Sequence, residues 1–220
     1  MCTLDLISVK IEVNGIQRGI IGNCIELPLS EKAQAEFRLF SKAQIVPLTQ
    51  LYGGKLGAAL DRQHPRDLFD VRHMDISNYE TIREGLIYNF LSSPKPIIES
   101  LAPNPINQME ALENQFSGMT DLPFSYEDYE QTRQQLGVFV NSNLTKSDRE
   151  FLISFEKGSP AWQNSEYEKL KDFPSVQWKQ LNINKLKEIN FEKYQANVDK
   201  LTNWLDRTQG KTIPKKINPS

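Results

Sequence analysis

Cysteine is nearly missing from this 220-residue chain. Cys2 and Cys24 alone build neither a disulfide framework nor a four-cysteine zinc site. Histidine is as scarce: His64 and His73 exclude a His-rich metal cluster. No apolar run approaches the ~20 residues that span a bilayer. The opening MCTLDLISVK lacks a basic segment followed by a long apolar stretch, so a secretory leader is not expected. Charge of one sign does not dominate either. With 26 Lys+Arg against 28 Asp+Glu, the net −2 excludes a strongly basic nucleic-acid coat and an acidic disordered tail protein. Internal repeats and low-complexity tracts are absent. These absences predict a soluble, cytoplasmic globular protein with no membrane partner. Its length suits one large domain or two small ones.

The charge that is present is unevenly spread. From Gln163 onward there are 11 Lys+Arg against 7 Asp+Glu, leaving 15 against 21 before it. That asymmetry fits a solvated basic surface and equally a patch that steers a polyanion. The closing KTIPKKINPS has two prolines and no apolar pattern, as a frayed tail does.

Periodicity divides the chain. In LISVKIEV, residues 6–13, Ile7, Val9, Ile11 and Val13 alternate with Ser8, Lys10 and Glu12, predicting a strand, and Asn14-Gly15 follows as a tight-turn signal. Weaker strands are expected over Ile16–Ile21 and Cys24–Leu29, with a further edge strand at Phe37–Phe40 or Gln44–Pro47. After Pro47 the period becomes helical. Thr49 is the expected N-cap of a helix running to Arg62, and Pro65 the first residue of the next. Further helices are expected over Ser77–Leu91, Ile97–Leu101, Met109–Phe116, Ser125–Asn141, Ser147–Lys157, Ser175–Ile189 and Phe191–Arg207. Ser147 and Glu150 read as a capping box. The expected fold is therefore α+β: a small N-terminal antiparallel sheet followed by a helical bundle of six to eight helices. The expected divisions are 1–75, 76–208 and a flexible tail over 209–220.

The segment that carries chemistry is GGKLGAALDRQHPRDLFD, Gly53 to Asp70. His64-Pro65-Arg66-Asp67 is not a kinase catalytic loop, because the companion kinase elements are missing. Gly54-Lys55 is not a Walker lysine, because Leu56 stands where Ser or Thr is needed. What remains is spacing. Lys55 is flanked by Gly53, Gly54, Gly57 and Ala58, so a ligand or another backbone can come close. Asp67 and Asp70 are three apart and share a helix face, with Arg66 and Arg72 beside them. Such a set can hold a triphosphate through Lys55 and use a carboxylate as base or orienter. It equally fits a structural ion-pair cluster tying two helices. Trp162, Trp178 and Trp204 fit helical packing. Trp178-Lys179 also suits stacking on RNA. His73 fits a structural role and His64 a solvated loop.

The block KLGAALDRQHPRDLFDV resembles a motif region of the AbiEii/AbiGii toxin family of nucleotidyltransferases, where a helical Lys is followed by an Ala-Leu stretch, an Arg, and then R-D-x-x-D. The stretches Arg149–Trp162 and Phe173–Ile183, the latter with its Trp-Lys pair, are also similar to the family. The resemblance implies a sheet that presents carboxylates to Mg²⁺ ions, which orient an NTP for nucleotidyl transfer. It implies a toxin–antitoxin or abortive-infection system active in phage defence, a cognate antitoxin, and tRNA or another RNA as acceptor. By motif position Lys55 would hold the NTP phosphates and Asp67 would assist the acceptor or the metal-bound geometry, with Asp70 and Arg66 in support. Glu12 falls where this superfamily often places a metal carboxylate, and Lys10 shares its face as a substrate-binding residue. The family's Gly-Ser and D-x-D elements do not occur before Lys10. The chain thus resembles the C-terminal portion of the family, with the sheet as a remnant, and impaired transfer is expected. The alternative is a non-catalytic remnant that binds an antitoxin protein or RNA.

Overall fold

The computed structural model describes residues 2–4, 7–9 and 19–208. Strands β1 (Cys2–Leu4) and β2 (Ile7–Val9) pair antiparallel, with Cys2 opposite Val9 and Leu4 opposite Ile7. The expected 6–13 strand is thus seen at Ile7–Val9, paired with a segment for which no strand was expected. Lys10, Glu12, Val13 and the Asn14-Gly15 signal lie outside the described residues. Gly19–Ile21, the end of the weaker strand expected over 16–21, is not in a strand. Strands β3 (Ile25–Pro28) and β4 (Lys42–Ile45) form a second antiparallel pair, Ile25 opposite Ile45 and Pro28 opposite Lys42. Between them lies helix α1 (Glu31–Phe37), which the sequence reading missed. Its start was there to read: Ser30 accepts from the Ala33 N–H, and Glu31 sits in the first turn, where the helix dipole favours an acid. Phe37 ends this helix, so the edge strand forms near the second expected site and not at 37–40.

The helices follow. They are α2 (Leu48–Arg62), α3 (Pro65–His73), α4 (Tyr79–Ser92) and the short α5 (Ile97–Leu101). Next come α6 (Met109–Ala111), continued by a π turn over Leu112–Phe116, then α7 (Tyr126–Asn143) and α8 (Lys146–Glu156). A 3₁₀ turn (Glu168–Leu170) precedes α9 (Pro174–Ile189) and α10 (Phe191–Thr208). Two expected caps are corrected. Helix α2 begins at Leu48 and not after Thr49, because Pro47 fixes the entry backbone and its carbonyl accepts from the Leu51 N–H. Helix α8 is capped by Thr145 and not by Ser147. Thr145 Oγ1 accepts from the Asp148 N–H while the Asp148 carboxylate accepts from the Thr145 N–H, a capping box two residues upstream of the expected one.

One continuous apolar core runs from Ile21 to Leu205. Within it α2 and α4 approach at backbone distance. A Cβ on Gly53 would lie 2.2 Å from the Gly85 carbonyl carbon, and one on Gly85 would lie 2.0 Å from the Thr49 carbonyl oxygen. Only glycine permits this approach at either position, as the small residues around Lys55 predicted. Two polar networks around the buried side chains Asp148 and Arg149 tie further elements together. Arg83 of α4 donates to Asp148 at 2.7 Å and to Glu166 at 2.7 Å, and Tyr167 also donates to Asp148. The Tyr167 hydroxyl is pushed well above its ordinary value by burial and by that carboxylate. Buried Arg149 donates to the carbonyls of Asn141, Leu144 and Leu205, tying the ends of α7 and α10 to α8. Trp162 and Trp204 pack against the core, whereas Trp178 is 55% exposed.

Candidate functional site

Helices α2 and α3 form a hairpin turned by Gln63, whose left-handed backbone (φ 49°) ends α2. His64 then opens α3, its ring nitrogen accepting from the Arg66 N–H, and Pro65 fits the first turn. His64 is therefore a half-buried cap and not a solvated loop residue. The hairpin sets two cations against two acids. Lys55 and Arg62 stand seven residues apart on α2, about two turns, on one stripe. Asp67 and Asp70 stand one turn apart on α3. Lys55 Nζ lies 2.5 Å from Asp70 Oδ2, and Arg62 Nη2 lies 2.7 Å from Asp67 Oδ1.

These four side chains line one open cavity of about 390 Å³, with Gln50 and Gly54 of α2 and Tyr88, Asn89 and Ser92 of α4 on its walls. Val46, directly after β4, completes its border. The volume is at the lower end of ligand sites, ~300–1,000 Å³. The Lys55 and Asp70 side chains are 39% and 45% exposed, so the ammonium has solvent access and two donors beyond the one on Asp70. Asp67 is more enclosed, at 17%. Gly54 leaves the surface open: a Cβ there would meet nothing within 4 Å. The Gln50 carboxamide is committed to the chain at the rim, accepting from Ile21 N–H and donating to the Gly19 carbonyl.

Of the residues singled out from sequence, Lys55, Asp67 and Asp70 are brought together. Arg66 is not: its side chain is exposed and outside the cavity lining. The guanidinium at the site belongs to Arg62, which sequence reasoning missed although its seven-residue offset from Lys55 was readable. Arg72 turns away to Asp128 of α7 at 2.8 Å. His73 packs its ring on Phe69, centroids 4.4 Å apart. Lys10 and Glu12 lie outside the described residues. Lys179 is buried and donates to the carbonyls of Phe90 and Lys95, so it is not available to RNA beside Trp178.

Residues 2–164 match the family model described as nucleotidyl transferase AbiEii toxin, type IV toxin–antitoxin system. The chain belongs to the AbiEii toxin family. The match includes the Lys55-to-Asp70 block and the whole of α8 with the first part of the loop after it. The Phe173–Ile183 block lies beyond it. Membership brings a nucleotide substrate and an antitoxin partner into the frame. No curated protein and no solved structure matches the chain. Among the described residues no helix is long and apolar enough to cross a membrane.

Nucleotidyltransferases generally use a divalent metal ion, and the cleft is a poor fit for one as described. Among the described residues no three His, Cys, Asp or Glu side chains gather as a metal site, and both cleft carboxylates are taken up by cations.

Proposed function

We propose that this AbiEii family member binds a nucleoside triphosphate in the cleft between α2, α3 and α4 and transfers its nucleotidyl group to an RNA such as tRNA. The observation that supports this reading is the convergence of Lys55, Arg62, Asp67 and Asp70 on one cavity. An ammonium and a guanidinium side by side suit a polyphosphate, the first as a mobile point charge and the second as a planar fork. When phosphate oxygens take the two free donors of Lys55 and take over Arg62, the Asp67 carboxylate that held Arg62 is released. Asp67 then accepts the proton of the attacking hydroxyl. That oxygen bonds to the α-phosphorus, the bond to the β-phosphate oxygen breaks, and pyrophosphate leaves with the electron pair beside the two cations. Asp70 keeps Lys55 aimed into the cleft, and Arg66 adds positive potential at its approach. Lys10 and Glu12 belong to the proposal as substrate-binding and metal-binding residues of the N-terminal segment, and Mg²⁺ is the ion expected with the triphosphate. Such a toxin would work in the cytoplasm.

A second reading is a binding protein without turnover, partnered by an antitoxin or RNA. Both carboxylates already sit in ion pairs that tie α2 to α3, which favours it. Incubation with each α-labelled NTP, Mg²⁺ and total RNA separates the two. Transfer is expected to label RNA and to fall by ~10²-fold or more in Asp67→Asn, the usual weight of a general base. Absence of labelled RNA with all four nucleotides would overturn the transferase reading and leave the binding one.

A further inference from the structure

Among the described residues, Asn89 is the one carboxamide of the cleft without a side-chain hydrogen bond. Gln50, the other, spends both polar atoms on the chain at Gly19 and Ile21. Asn89, half-buried on α4, makes no side-chain hydrogen bond among the described residues. It is nonetheless held in place. Gly57 of α2 lies directly beneath it, so close that a Cβ there would sit 2.0 Å from Asn89 Oδ1 and 2.9 Å from Nδ2. Neither of its amide atoms is among the buried polar atoms left without a partner, so a donor and an acceptor, both reachable from the open cavity, are available to a ligand. The lining of the cavity also divides by chemistry. Charged groups come from α2 and α3, and neutral ones, Gly54, Ala58, Tyr88, Asn89 and Ser92, come from α2 and α4. A nucleoside triphosphate is divided in the same way.

We infer that Asn89 selects the nucleobase of the bound triphosphate, its carboxamide pairing with an adjacent donor and acceptor on the base edge. This rests on the nucleotide reading above. A planar carboxamide offers one N–H and one C=O side by side, the pattern that discriminates bases in bidentate pairing. Gly57 leaves room for that plane and fixes it, so the same base edge is favoured each time. Asn89 is a specificity residue here; the phosphates are held elsewhere.

The test is equilibrium binding of ATP, GTP, CTP and UTP, their deoxy counterparts and inorganic tripolyphosphate to the full chain. The wild type is compared with Asn89→Leu and the near-isosteric Asn89→Asp, which keeps the side-chain volume if Leu perturbs the fold. The wild type is expected to prefer one base by about tenfold or more. Both variants should reduce that preference to within about threefold, while tripolyphosphate binding stays within about twofold in the uncharged Asn89→Leu. A preference that survives both variants overturns the inference, as does a wild type that binds all four bases equally. A change confined to ribose against deoxyribose also overturns it, since Asn89 would then read the sugar. A wild type that binds no nucleotide overturns the nucleotide reading itself, and this inference with it.

Discussion

Replacing Gly85 by alanine tests the helix contact on which the cleft is built. In a free helix this change is favourable by ~1 kcal/mol, because alanine restricts the unfolded chain and forms helix better. Here the added Cβ would lie 2.0 Å from the Thr49 carbonyl oxygen and 2.7 Å from its carbon. Both are backbone atoms of α2 and cannot rotate away. Ordinary contact begins near 3.4 Å, so the two helices must separate by about 1.4 Å. Overpacking of this kind costs ~1–3 kcal/mol, and a rigid backbone neighbour places it at the upper end. A net loss of ~2 kcal/mol is expected after the propensity gain, a fall in Tm of ~4–8 °C for a chain of this size. Gly137→Ala on α7 is the internal control: nothing lies within 4 Å of its Cβ, so it should stabilise by up to ~1 kcal/mol. Urea and thermal denaturation of the pair give opposite signs. A Gly85→Ala protein as stable as Gly137→Ala would refute the packing that positions Asn89 and Lys55.

Other consequences are independent of that contact. Arg149→Met removes the buried donor shared by three helix-terminal carbonyls and should cost ~3 kcal/mol in urea unfolding. A loss under ~1 kcal/mol would mean water replaces it. Lys179, depressed by burial from 10.5 to about 8, supplies a pH test. Below about pH 8 both folded and unfolded chains carry the proton and the burial penalty is constant; between there and 10.5 the unfolded chain holds it more tightly, so this group makes stability rise with pH. The wild type minus Lys179→Met difference in unfolding free energy should show that rise, and a flat difference would contradict it. The Arg62–Asp67 pair, its guanidinium 62% exposed, should couple by no more than ~1 kcal/mol in a double-mutant cycle on stability.

The helical part was legible because its signals are local. Pro65, the apolar stripe of Ser77–Leu91 and the Ile97–Leu101 segment between prolines each fall within a residue or two of the observed helices. The α1 helix was lost because its seven residues bury no apolar side chain, so no stripe announced it. The Thr145 cap was hidden because Ser147 and Glu150 present the same residue pattern two positions later; burial of Asp148 against Arg83, 65 residues away, selects the first. At the cleft, spacing within α2 and α3 brought Lys55, Asp67 and Asp70 into view. Arg62 was legible in principle, through the same stripe as Lys55, while Arg66 shares only sequence proximity with Asp67. Asn89 gave no sequence signal, because its place depends on a glycine contact between two helices that no periodicity encodes.

The central claim is that the Lys55 ammonium, beside Asp70, is there to bind a polyphosphate. Calorimetric titration of nucleoside triphosphates into wild type and Lys55→Met, each checked by thermal melting, tests it most directly. The ion pair is exposed enough that its loss should cost no more than ~1 kcal/mol of stability. Triphosphate affinity is predicted to drop by at least ~10-fold, about 1.4 kcal/mol. Equal affinity in the two proteins would contradict the account and return Lys55 and Asp70 to the role of a tie between helices.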